Sequence, residues 1–241
     1  MIARFSLYDF IAVVMPGIFF LWAISIFLGV QVPGAIGPTS GDLAETSVLI
    51  VVGYVVGLLL QGLSQRFTES ALLKWWGGFP SARWLLPGDN RFTGTYRQEL
   101  TSALLKRFGI TLPKEALTAQ NRPELLKRGQ EIFYRCYRSV EANSALPETF
   151  NAQYGLFRIL LTTFSLLGAA ALVRVAEASV STRTFDLRAA SFLAFCVVGG
   201  LISYWRVTKR AEDFAKAVYD LFLAQAAQPS HDVHAQRSSP V

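Results

Sequence analysis

Four stretches of this chain are too long and too apolar to be ordinary surface elements. Residues 10–30, 46–65 and 189–205 carry no charge at all, and residues 159–173 are bracketed by Arg158 and Arg174. A bilayer core about 30 Å thick is crossed by roughly 20 residues of apolar helix. Inside it only helices and closed barrels satisfy their own backbone groups. The pattern therefore predicts four membrane-spanning helices, the third completed by arginines that snorkel from its ends. Charged residues make up only 17% of the 241 residues, against about 25% in a soluble domain. The deficit lies in the four blocks, and the charges lie between them. The first block is too long for the apolar core of a cleaved signal peptide, and Asp9 precedes it, so it reads as a retained span.

Lys and Arg near the spans set orientation. Residues 31–45 contain neither, whereas residues 66–158 and the stretch opening with Arg206, Lys209 and Arg210 are rich in both. The connection with Arg174, Arg183 and Arg188 dissents mildly. The consistent solution places both termini and the long middle segment in the cytoplasm. The net charge of +6 then follows from positive-inside bias and attraction to anionic lipid, and nucleic acid is not expected as a partner.

Within the spans, Asp9 is positioned to cap the first helix and meet its positive end. Pro16 withholds a backbone N–H and marks a kink or hinge, and Gly17 permits close helix approach. The second span carries Gly53, Gly57, Gln61 and Gln65 at four-residue spacing, a stripe expected to face protein within the bundle or in a homo-oligomer. Small faces recur as Ser165, Gly168 and Ala169 in the third span, and as Cys196, Gly199, Gly200 and Ser203 in the fourth. No ionisable residue sits at mid-depth, which argues against a proton-coupled transporter.

Between the spans, QRFTESALLKWW continues the second helix, and GGFPSARWLLPGDNRF then breaks helix repeatedly. Trp75, Trp76 and Trp84 flank that break, as interfacial anchors or as packing for a small core. The next helix has Thr95 as its cap, Tyr96, Leu100, Leu104 and Phe108 on one face, and Gly109 as its stop. Another starts near Pro123, with Leu125, Leu126, Ile132, Phe133, Cys136, Tyr137 and Val140 forming its apolar face. Pro147 opens a helix that enters the third span. After the fourth span, residues 206–226 continue as an amphipathic helix faced by Val207, Ala211, Phe214, Val218, Leu221 and Phe222. Residues 227–241 are expected to be disordered.

Chemistry is sparse. The two histidines, His231 and His234, lie in that tail, so no Ser-His or Cys-His arrangement is available to the folded part. No metal or cofactor is expected. Two cysteines, Cys136 and Cys196, make no disulfide framework. The stretch FYRCYR (133–138) offers cations beside aromatics, suited to lipid headgroups. Asn151, Tyr154 and Arg158 share one helix face just below the third span and are the best candidate for a polar cluster at the membrane boundary.

The acid and Pro-Gly of the first span, WGGFPSAR, and FNAQYGLFR leading into a span together resemble uncharacterised bacterial four-span inner-membrane proteins with a cytoplasmic helical insert. The resemblance implies the bacterial inner membrane and transfers no catalytic residue. By analogy, some small four-span proteins are membrane partners in anti-phage defence operons. The sequence thus predicts an all-α membrane protein: a four-helix bundle with cytoplasmic helical extensions and a small helical domain. Residues 1–65 supply two spans, 66–157 the cytoplasmic domain and 158–205 the last two spans. The expected function is a non-enzymatic module that oligomerises or docks a cytoplasmic protein partner in the bilayer. The alternatives are an oligomeric pore or membrane-disrupting effector, and a lipid-modifying enzyme using a boundary carboxylate.

Overall fold

A computed structural model describes residues 10–29, 43–113, 115, 117–141, 144, 146–181 and 186–228. Asp9, Arg183, both histidines and residues 229–241 lie outside these. The described residues are mostly helical, with no strand among them. A π-helical turn, Phe10–Val14, leads into α1, Met15–Leu28. α2 is Leu43–Leu63, and a second π-helical turn, Ser64–Thr68, joins it to α3, Glu69–Trp76. Then come the short α4, Pro80–Arg83, α5, Gly94–Phe108, and α6, Arg122–Glu141. Two long helices close the chain: α7, Leu146–Ser181, and α8, Leu187–Ala227.

Three helical stretches are long and apolar enough to cross a membrane: Thr46–Arg83, Thr149–Val180 and Leu187–Ala227. The apolar helix Ala12–Leu28 is shorter. In the most apolar window of the third stretch only 17% of residues are buried. Large aliphatics such as Val55, Leu59, Val173, Val198 and Leu201 are exposed. An apolar exterior of this extent is what a helix in contact with lipid requires, and few water-soluble monomers carry one.

The chain divides into two compact units. One comprises the residues up to Trp75 with Phe150–Arg210; the other comprises Trp76–Thr149 with the residues from Ala211 onward. The divisions fall beyond the ends of the apolar runs. Beyond the apolar runs the helices still meet, with the rings of Trp75 and Tyr204 6.0 Å apart between centroids.

In the first unit, α1 and α2 meet backbone to backbone. A Cβ on Gly17 would collide with the Gly53 carbonyl oxygen, and one on Gly57 with the Val13 carbonyl oxygen. The pairs 17 with 53 and 13 with 57 make the two helices antiparallel. The Pro16 region differs from a mid-helix kink. Pro16 stands at the start of α1, directly after the π-helical turn, and is buried with Gly17. The widened turn falls where proline withholds an N–H. Elsewhere in this unit Phe27 stacks on Phe192 at 4.8 Å, and a Cβ on Gly199 would sit 2.5 Å from the Phe164 ring.

The second unit has an aromatic-rich core of a kind familiar from water-soluble proteins. Leu100 and Leu104 of α5, Ile132, Phe133, Cys136 and Val140 of α6, and Val218, Tyr219 and Phe222 of α8 are buried together. The segment read as a helix-breaking connection turns out to be part of this core. Pro80, Ser81, Ala82, Trp84, Leu85 and Leu86 are all buried. Gly129 lets α6 approach, since a Cβ there would lie 2.9 Å from the Ala82 oxygen. Tyr219 donates its hydroxyl proton to the Ser81 carbonyl at 2.6 Å, and the Arg97 guanidinium donates to the carbonyls of Leu85 and Leu86. The cap of α5 is Thr93 rather than Thr95: its hydroxyl accepts from Tyr96 N, and Gly109 closes the helix in the left-handed conformation. Thr93 alone adopts the extended backbone that an N-cap needs. Trp84 is buried in this core, whereas Trp75 is 81% exposed.

Candidate functional site

The most concentrated polar arrangement in the first unit gathers where α3 meets α7. Glu69, the first residue of α3, forms an ion pair with Arg158. The Arg158 side chain is nearly buried, and its guanidinium lies 5.4 Å from the Tyr154 ring centroid. Thr162 Oγ1 donates to the Arg158 carbonyl at 3.0 Å and also meets Thr68 Oγ1 at 2.6 Å. A hydroxyl has one proton, so Thr68 is the donor to Thr162. A chain of two hydroxyls and an ion pair thus ties the end of the π-helical turn to α7.

The π-helical turn explains why these groups meet. It contains one residue more than an α-helical turn, which rotates everything after it by about 100°. Ser64 opens the turn, fully buried, with its hydroxyl donating to the Gln61 carbonyl at 2.9 Å. At its end Thr68 reaches Thr162, and the next residue, Glu69, reaches Arg158. Gln65 falls inside the turn rather than on the α-helical continuation of the glycine stripe. Gly53 and Gly57 are buried, Gln61 is half-buried and Gln65 is exposed.

Of the three residues that sequence spacing grouped here, Tyr154 and Arg158 are together, and Asn151 is exposed. Glu69, Thr68 and Thr162 complete the cluster and were not anticipated. One signal was present: Glu69 is a lone acid just past the second apolar run, and Arg158 a lone base just before the third. Two such charges at corresponding depths of neighbouring spans are natural partners.

At the opposite end of the unit two more arginines have defined roles. Arg174 donates to the Phe27 carbonyl at 3.1 Å, and Arg188 to the Ile26 carbonyl at 3.0 Å. These are the last carbonyls of α1, which its own helix cannot satisfy, and cations suit that end of the dipole. Gly29 ends α1 in the left-handed conformation. The remaining small residues of the spans serve packing or open space. Ser203 is buried, and a Cβ on Gly200 would be no closer than 3.9 Å to its nearest neighbour, Phe164.

In the second unit burial favours the neutral form of Tyr96, Cys136 and Tyr219. The Cys136 thiol is pushed up to about 12, chiefly by desolvation. The Tyr96 phenol is raised first by desolvation and then by the Asp220 carboxylate, to which it donates at 2.8 Å. The outer face of α6 is the contrasting surface. Lys127, Arg128, Arg135 and Arg138 are all exposed, with Tyr134 and Glu131 among them. Among the described residues no group of three or more His, Cys, Asp or Glu side chains comes together.

Comparison of the chain with protein-family models, with curated proteins and with solved structures gives no match.

Proposed function

We propose that this protein is a non-enzymatic membrane module that anchors a helical docking domain at a bacterial inner membrane. The observation that carries the reading is the division of labour between the units. One exposes aliphatic residues along helices of bilayer length; the other has a self-sufficient core and an exposed, mostly basic helix face on α6. In this reading α1 is a fourth span, and the termini and the second unit face the cytoplasm. The dense Lys and Arg of residues 66–158 support that orientation. The dissenting arginines on the other side, Arg174 and Arg188, cap α1, so they carry less weight as topology signals.

The glycine stripe supports docking over self-association. Gly53 and Gly57 pack against α1 of the same chain, so the stripe is not an open face for a second copy. The basic face of α6 suits an acidic protein surface.

Gentle extraction from membranes, followed by the mass of the complex and identification of co-purifying proteins, tests the reading. A stoichiometric cytoplasmic partner released by charge reversal at Arg135 and Arg138 supports it. A partner-free ring that conducts ions in liposomes would replace it with the pore.

A further inference from the structure

At the end of the first unit opposite the Glu69–Arg158 pair, two arginines converge on one helix end. Arg174 of α7 donates to the Phe27 carbonyl and Arg188 of α8 to the Ile26 carbonyl. These carbonyls are consecutive in α1, about 1.5 Å apart along its axis. Guanidiniums from two different helices therefore stand side by side. That of Arg174 also lies 5.5 Å from the Phe27 ring centroid.

Two like charges held together are unfavourable unless something negative offsets them. A helix C-terminus supplies only about half a negative charge, so most of the positive charge is left over. Among the described residues no carboxylate makes up the difference: the ion pairs use Asp89, Glu212 and Glu69. Asp186, two residues from Arg188, accepts from the Ala189 N–H at 3.0 Å, and Glu177 is exposed one turn beyond Arg174. Each guanidinium carries five N–H donors and spends one on α1. Both arginines are exposed, so the remaining donors are open to an acceptor from outside the chain. Depth identifies that acceptor. Arg174 follows Arg158 on α7 by about 24 Å of helix. With Arg158 near one face of a hydrocarbon core about 30 Å thick, Arg174 lies near the other, where headgroups begin. Phosphate oxygens are what the planar guanidinium fork matches.

We infer that Arg174 and Arg188 form a binding site for one phosphate group, supplied by a phospholipid headgroup of the outer leaflet. The phosphate completes the charge balance that the end of α1 leaves unfinished. The inference rests on the membrane reading and adds a headgroup site to it.

The test uses the full-length protein, extracted in mild detergent, delipidated and titrated with dioleoyl phosphatidylglycerol or dioleoyl phosphatidylcholine. Bound lipid is counted by native mass spectrometry. Wild type retains phosphatidylglycerol roughly tenfold better than phosphatidylcholine, as two adjacent cations provide. Arg174→Gln with Arg188→Gln abolishes that preference. Arg188→Gln alone, at the more exposed hydrogen bond, lowers it several-fold and stands in if the double variant fails to fold. Arg66→Gln with Lys74→Gln removes the same charge from exposed positions on α2 and α3 and leaves the preference intact. An undiminished preference in both arginine variants overturns the inference, as does an equal loss in the Arg66 and Lys74 variant. Inorganic phosphate that displaces the lipid and alone raises the unfolding temperature of wild type, and not of the arginine variants, overturns the headgroup assignment in favour of free phosphate. Lipid preference that emerges only after Asp42→Asn with Glu45→Gln also overturns it, because acids of the chain then neutralise the pair. Failure of the underlying membrane reading has a separate signature: the wild-type protein would be recovered from cells in the soluble fraction without detergent.

Discussion

The two halves of α8 obey opposite rules. Around Val198, Leu201 and Ile202 the large aliphatics point outward, each more than half exposed. A few turns later Val218, Tyr219 and Phe222 are fully buried, and the outward positions are Lys216 and Asp220. The same helix geometry serves both. What changes is the solvent that the sequence anticipates. In lipid the apolar side chain gains nothing by burial, so close packing goes to small residues such as Gly199 against Phe164. In water the apolar side chain is the driving force, and aromatic residues are gathered inward around Phe133, Phe214 and Tyr219.

The largest break in that contrast comes from the polar cluster of the first unit. Arg158→Ala strands the Glu69 carboxylate in a partly buried, apolar setting. A loss of about 3–5 kcal/mol is expected for a buried pair, read as a steep fall in the thermal unfolding temperature of the purified protein. Unchanged unfolding would mean that the pair is solvated and the cluster is not structural. Next in size is a lysine at a lipid-facing site. Val198→Lys should cost about 2.5–3.5 kcal/mol of insertion, whereas Ala224→Lys, exposed in the later half of α8, should stay within about 0.5 kcal/mol. Insertion efficiency and unfolding of the two variants compare the two solvents directly.

A pH titration sharpens the comparison from the other unit. The Cys136 thiol and the Tyr96 phenol are both raised in the folded protein. The unfolded chain loses these protons at its lower, ordinary values, so their contribution is fully present below about pH 9. It is lost as pH rises from there towards about 12 for the thiol. Stability, followed by circular dichroism on thermal unfolding, should therefore fall above about pH 9. The smallest effect belongs to Arg91→Ala. Its pair with Glu212 at 2.9 Å is exposed on the arginine side, and its removal should cost less than about 1 kcal/mol.

Much of this organisation was legible in the sequence. Long apolar runs mark α2, α7 and α8, whose helices are long and apolar enough to cross a membrane. The buried face of α6 followed from helical spacing, with Leu125, Ile132, Phe133, Cys136 and Val140 all buried. Gly109 ended α5 as its position implied. What spacing could not give is what depends on distant chain. WGGFPSARW reads as punctuation, yet its Ala82 carbonyl meets Gly129 and its Ser81 carbonyl receives Tyr219. Glu69 and Arg158 are far apart in sequence, and their meeting depends on a π-helical turn that no composition rule announces. Local periodicity instead put Asn151 beside Arg158, where it points to solvent.

The most direct test of the two-solvent picture is cysteine labelling along α8 in intact membranes. With Cys136 and Cys196 replaced by alanine, single cysteines at Val198, Leu201, Lys216 and Asp220 are exposed to a water-soluble maleimide. All four positions are exposed on the protein surface. The expected result is labelling at positions 216 and 220 and none at 198 and 201 until detergent is added. Equal labelling at all four would mean that water bathes the whole helix, and the first unit would not be a membrane anchor.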